Sequence, residues 1–193
     1  MSFPELIDSP SEGSTEQPFG APSGDAPQRT NPFNALAEHV RRASTGDRAA
    51  LARLKPELLR PNELAALSRA LLAAGLSPDT WSPETWPRWA MIAQGIALAG
   101  HKPGRLGDQL AEAGVAESRV TKLLTARGEA FQQLLPRVVR LMASKGVSPN
   151  WGELGALVLA DARVDKRDSQ DADWMRLRIA GPYYSRLARQ AAS

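Results

Sequence analysis

The chain of 193 residues has no cysteine. Disulfides and thiolate metal sites are therefore excluded together, and with them regulation through thiol oxidation; the composition suits a reducing cytosol. Histidine is almost as scarce. Of the two, His39 and His101, neither stands in a metal-ligand or acid–base spacing, and each reads as a surface or capping residue. No glycine-rich phosphate loop is present, and no serine has a histidine partner in a local motif. Long apolar runs are missing too. No window approaches the roughly 18 uninterrupted apolar residues of a membrane span, and MSFPELIDSPSEG lacks a basic start followed by an apolar stretch. A soluble, unexported, cytoplasmic protein without cofactor, metal or catalytic residues is expected.

Acids are scarce where bases are dense. From Ser118 to Lys145 six basic residues (Arg119, Lys122, Arg127, Arg137, Arg140, Lys145) stand against Glu129 alone, a local charge of +5 in a chain whose net charge is +3. A solvated helical face usually interleaves Glu with Lys or Arg at i and i+4, and here that support is absent. One sign concentrated on a segment that must also pack is the footprint of a nucleic-acid binder. Aromatics are equally sparse: Phe131 is the only one between His101 and Asn150. Stacking platforms for bases are not evident there, so binding should follow the backbone and be salt-sensitive and indifferent to sequence.

Residues 1–30 hold five prolines with many Ser and Gly, and five acids against Arg29. This reads as a disordered acidic tail of charge −4 that leaves the remainder at +7; such a segment either aids solubility or competes with phosphates for the basic body. Beyond it the apolar spacing is helical throughout, with no convincing period-2 strand. The first helix spans Asn31 to Ser44 and stops at Gly46. Asp47 caps RAALARL, and Asn62 caps ELAALSRALLAAG. Ser82 and Pro83 open a helix with a buried stripe of Trp86, Trp89, Ala90, Ala93, Ile96 and Ala97, and HKPG breaks it. Helices follow at Leu106 to Ala113, Glu117 to Ala126 and Glu129 to Lys145, the last kinked or restarted by Pro136. Asn150 caps WGELGALVLAD, and a final helix from about Asp173 carries Trp174, Leu177, Tyr184 and Leu187, bent at Gly181-Pro182. The expected class is all-α, a helical bundle, with two small bundles over 31–102 and 103–193 joined near residues 100–105.

Two of these helices carry the cations. Val120, Leu123 and Leu124 define the inward side of one, leaving Arg119 and Lys122 exposed together. In the next, Leu134, Leu135, Val138, Leu141 and Met142 face in, and Arg137 and Arg140 hold the same relative positions. Arg127 and Lys145 fall at helix ends, where a cation complements the helix dipole as readily as it meets a phosphate. Arg88, Arg176 and Arg178 are candidates to extend the surface. The acids Asp161, Asp165, Asp168, Asp171 and Asp173 lack the glycine and terminal Glu of a calcium loop and are balanced by Arg163, Lys166 and Arg167. LGDQLAEAGVAESRVTKLL has the rhythm of a helix-turn-helix; on that reading Ser118, Arg119 and Lys122 approach base edges, and the protein is a transcriptional regulator.

Three segments together resemble the CasB family, the small subunit of the type I-E CRISPR Cascade complex: RWAMIAQGIALAGH at 88–101, LGDQLAEAGVAESRVTKLL at 106–124 and LPRVVRLMASKGVSPNW at 135–151. GDRAALARL at 46–54 and the ending RIAGPYYSRL are weaker matches. The resemblance implies two helical bundles and a non-enzymatic role, with two copies along the belly of the complex. Its partners would be other Cascade subunits, a second copy of itself, the crRNA and target DNA including the displaced strand. Arg88, Arg119, Arg137 and Arg140, with Lys122 nearby, correspond to the family's strand-contacting positions. The acidic tail and the charged loop of residues 161–173 lie outside the family pattern.

Overall fold

The computed structural model describes residues 31–161 and 166–192. The acidic tail expected at 1–30 lies outside them, as do residues 162–165 of the charged loop. Among the described residues nine α-helices follow one another: α1 Pro32–Arg42, α2 Thr45–Ala52, α3 Pro61–Ala73, α4 Thr85–Ala99, α5 Leu106–Glu112, α6 Glu117–Thr125, α7 Gly128–Ser144, α8 Trp151–Ala160 and α9 Lys166–Ala191. A single 3-10 turn, Pro78–Thr80, precedes α4, and the described residues contain no strand. The all-α expectation holds.

Several helix starts differ from the sequence expectation because a competing side chain takes the cap. Ser44, not Asp47, caps α2: its Oγ accepts from the Asp47 N–H at 3.0 Å, which draws Gly46 into the helix instead of ending the previous one. At α3 the helix begins at Pro61, and Glu63 reaches back to the Arg60 N–H at 3.3 Å in place of an Asn62 cap. Asn150 does cap α8, accepting from the Gly152 N–H at 2.9 Å. Pro136 lies within an uninterrupted α7.

Helix α4 is the centre of the molecule. Every residue from Trp89 to Ile96 is buried, where a single stripe was expected, because α1, α2, α7 and α8 all pack on it. Gly95 is what allows α8 so close: a Cβ there would lie 2.2 Å from the Trp151 ring, which is itself fully buried. One apolar core runs from α1 through α8 and takes in Ile179 and Tyr183 of α9.

Helix α9 does not turn inward all the apolar residues named for it from the sequence. Ala172, Arg176, Ile179 and Tyr183 are buried, whereas Trp174 and Leu177 are 63% and 64% exposed and Tyr184 is also exposed. Arg176 turns inward because Asp161 meets it, as set out below, and Tyr183 because its hydroxyl donates to the Val115 carbonyl at 2.7 Å. Once those two positions face in, helical geometry carries Trp174 and Leu177 outward. Gly107 lets α5 lie directly on this face, since a Cβ there would come within 2.1 Å of the Ile179 carbonyl oxygen.

His101 ties the α4–α5 link to the start of α8. Its Nδ1 accepts the Trp151 N–H at 3.1 Å, while the Trp151 indole Nε1 donates to the Gly100 carbonyl at 2.9 Å. The capping expectation for His101 is met. Burial pushes its pKa below the ordinary 6.5, partly offset by the Pro149 carbonyl. The unfolded chain thus takes up a proton before the folded one does, so the stability this contact contributes is intact above about pH 6.5 and is lost as pH falls from there to the folded-state value. Melting temperature followed from pH 7.5 to about pH 5 should fall in that window, and His101→Gln should flatten that part of the profile.

Candidate nucleic-acid interface

Helices α6 and α7 present their cations as periodicity requires. Gly114, at φ 65°, turns the chain from α5 into α6, whose buried residues are Val120, Leu123 and Leu124. Helix α7 buries Phe131, Leu135, Val138, Val139 and Met142, with Leu134 and Leu141 half-buried against the same core. Arg119, Lys122, Arg137 and Arg140 are all exposed.

Among the described residues, no carboxylate lies within ion-pair distance of any of those four, nor of Arg88 or Lys145. Several arginines elsewhere are paired, Arg41 and Arg42 with Glu38, Arg69 with Asp47, Arg105 with Asp108 and Arg186 with Glu112, whereas Arg48, Arg53 and Arg60 are exposed and have no ion pair among the described residues. On α6 and α7 the cations without an ion pair fall in the stretch where acids are scarce in sequence.

Two depressions connect these cations. Lys122 and Arg137 line a shallow groove of about 390 Å³ between α6 and α7. Arg137 also borders, with Arg140 and Lys55 and with the carboxylates Glu57 and Glu129, a cleft of about 540 Å³ between α7, the middle of α4 and the link after α2. Shared by both, Arg137 joins Lys122, Arg140 and Lys55 into one seam. Lys55 carried no sequence signal, because it is brought to α7 only by the packing of α2 and α7 on α4. Arg119 lies one turn before Lys122 on the exposed side of α6. Lys145 stands at the far end of α7, and Arg88, half-buried in the first turn of α4, lines neither depression.

Arg127 is engaged internally. Its Nη1 donates to the carbonyls of Leu124, Thr125 and Ala126 at 3.1, 2.9 and 3.0 Å, closing the C-terminus of α6, and its Nη2 donates to Asp173 at 2.7 Å. Asp173 also pairs with Arg176 at 3.5 Å, and Arg176 pairs with Asp161 at 2.9 Å. Both side chains of that last pair are buried, at 6% and 3% exposure. Asp161 in turn accepts the Gly128 N–H at 2.8 Å, supplying the first turn of α7 with a cap from another helix. This network pins the α6–α7 corner to α8 and α9, and so fixes the angle at which Lys122 and Arg137 meet.

The network corrects two expectations. Arg176 does not extend the surface, being buried, and Arg178 is paired with Glu153 at 3.8 Å. The acids Asp161 and Asp173 hold arginines, and no group of three or more candidate metal ligands occurs among the described residues.

What the seam offers is guanidinium and ammonium donors at fixed spacing on rigid helices, which suits the oxygens of a phosphodiester backbone. The α5–α6 pair has the connectivity of a helix-turn-helix, and Ser118, Arg119 and Lys122 are exposed on its second helix. Two of the four free cations, however, sit on α7, outside any recognition helix, and the Thr121 hydroxyl of α6 is engaged by Tyr184 at 3.0 Å. A rail spanning two helices accounts for both pairs.

Compared with known proteins, residues 47–184 match the family described as CRISPR-associated protein Cse2, a stretch that contains every member of the seam. No curated protein and no solved structure matches the chain. Among the described residues, no helix is long and apolar enough to cross a membrane.

Proposed function

Because the chain belongs to the Cse2 family, also called CasB, and is thereby a subunit of the type I-E CRISPR Cascade assembly, we propose that its α6–α7 seam holds nucleic-acid backbones within that assembly. In this reading the subunit is non-catalytic. It steadies the hybrid of guide RNA and target DNA and retains the displaced DNA strand, next to other Cascade subunits and a second copy of itself. Arg119, Lys122, Arg137 and Arg140 take phosphates, Lys55 extends the row, and Arg88 and Lys145 serve at its margins. Arg127 acts indirectly, through the corner it closes.

The observation that carries this reading is the absence of carboxylate partners around four exposed cations on adjacent helices. Exposed cations on a protein surface gain little from one another, and a row of them is a local cost unless an anion arrives. The regulator reading is served by α6 alone, and family membership favours the subunit.

Salt dependence tests it. In reconstituted assembly, the affinity for the displaced strand should fall linearly with the logarithm of salt concentration, with a slope of about −0.7 for each phosphate contact made by a single strand. Strands of unrelated sequence should bind alike. Retention that ignores salt, or a preference of about 10³-fold for one duplex sequence, would overturn the proposal in favour of a sequence-reading regulator.

A further inference from the structure

The cleft between α7, α4 and the α2–α3 link has features that a phosphate rail does not require. Lys55, Arg137 and Arg140 line it together with two carboxylates, Glu57 and Glu129, and beside them stand Met91, Pro56, Pro136 and Gln94. Gln94 is a polar side chain within the buried stretch Trp89–Ile96 of α4, whose other residues are apolar or small. Its Nε2 donates to the Leu54 carbonyl at 2.6 Å. A carbonyl can only accept, so this bond fixes which way the amide points and leaves Oε1 as an acceptor with no partner among the described residues. That oxygen is not sealed in, since it is absent from the buried atoms that lack a partner.

Cations alone on a convex surface are enough to follow a backbone. A concavity of about 540 Å³ falls in the range of small-ligand sites, roughly 300–1,000 Å³, and sets a small apolar patch of Leu54, Pro56, Met91 and Pro136 among polar and charged side chains. Proline rings and a methionine thioether suit the face of a flat heterocycle, the sulfur favouring aromatic contact. The acceptor suits a ring or exocyclic N–H. Phosphates on either side of such a heterocycle would meet the bordering cations.

We infer that this cleft receives one nucleobase turned out of a single strand lying on the seam, with its N–H edge donating to Gln94 Oε1 and its faces against Met91 and the two prolines. The inference rests on the proposal that the seam holds a strand, and adds base capture to backbone contact. A base within a duplex or hybrid is paired on that edge and stacked on both faces, so the cleft favours the displaced strand over the hybrid. The captured base also fixes the register of the strand on the rail, which phosphate contacts alone do not.

The probe is an R-loop bound to the reconstituted assembly, in which a single abasic site is walked along the displaced strand without changing its phosphates. At one position the abasic site should weaken strand retention about tenfold while leaving the salt slope unaltered. 2-Aminopurine at that position should brighten as it leaves its stacked neighbours. Gln94→Met removes the acceptor and should abolish the position effect. Gln132→Trp, at an exposed residue bordering the cleft, should do the same by filling it, and serves if the first variant folds poorly. Equal retention at every abasic position, with affinity and salt slope otherwise as expected, overturns base capture and leaves the backbone reading standing. A strand that wild-type assembly does not retain at all overturns both.

Discussion

Changing Arg137 and Arg140 together to Glu is expected to weaken retention of the displaced strand by about a hundredfold, with assembly and melting temperature little altered. Both side chains are exposed and neither has an ion-pair partner among the described residues, so the substitutions break no internal bond. Their effect falls on the anion. A hydrogen bond to a charged group contributes about 1.5–3 kcal/mol, so even the lower figure for two lost contacts amounts to about 3 kcal/mol, or somewhat over a hundredfold. Repulsion by the new carboxylates adds to this. Because Arg137 borders both depressions, its reversal interrupts the row in the middle instead of shortening it at an end. The salt slope should drop by about 1.4 as two single-strand contacts disappear. Anisotropy titrations of labelled strand against assembled complex at several salt concentrations read both quantities. A double variant that assembles normally and holds the strand as well as wild type refutes the site assignment.

Those two arginines were legible in the sequence because the helix that carries them obeys one rule from end to end. Leu135, Val138 and Met142 recur at helical spacing, so the outward positions follow, and the lack of acids nearby is a matter of counting. The same rule failed on α9. There it named Trp174 and Leu177 as the apolar residues of the helix and offered Arg176 to the surface, whereas the structure exposes the first two and buries the third. Burying a guanidinium is costly unless a carboxylate meets it, and Asp161, which does so, stands 15 residues away across a break between helices. No local pattern reports that partner. Caps were missed for a related reason: Ser44 and Asp47 both suit the start of α2, and the choice depends on whether the Ser44 hydroxyl takes the Asp47 N–H or the Asp47 carboxylate takes an N–H two or three residues further on. The cleft around Gln94 is further from reach, since Lys55, Gln94 and Arg137 come from three separate segments. Arg127 was half-legible. Its place at a helix end was plain, but the bonds to three carbonyls and Asp173 depend on the corner that α8 and α9 build around it.

Trp151→Ala should destabilise the protein by about 3–5 kcal/mol, the largest single effect expected in the core. The indole is fully buried, its Nε1 donates to the Gly100 carbonyl at 2.9 Å, and its six-membered ring occupies the space that a side chain on residue 95 would fill. Truncation therefore leaves a cavity, an unpaired carbonyl and a gap between α4 and α8 together. Gly95→Leu alone should also destabilise, because α4 is held on four sides and the Trp151 ring cannot withdraw. Combined, the two substitutions should offset each other: leucine enters the space the indole vacates, and the double variant should be more stable than the sum of the single losses by about 1–3 kcal/mol. Urea unfolding of the four proteins measures this coupling. Strict additivity would mean that Gly95 and Trp151 do not share one volume, contrary to the packing described. The result bears on the seam as well. Helix α7 rests on the same α4 that Trp151 braces, so a loosened α8 should blur the position of Arg137 and Arg140 relative to Lys55. Trp151→Ala assembled below its melting temperature should then lose strand affinity although no cation has been touched, and the double variant should recover part of it.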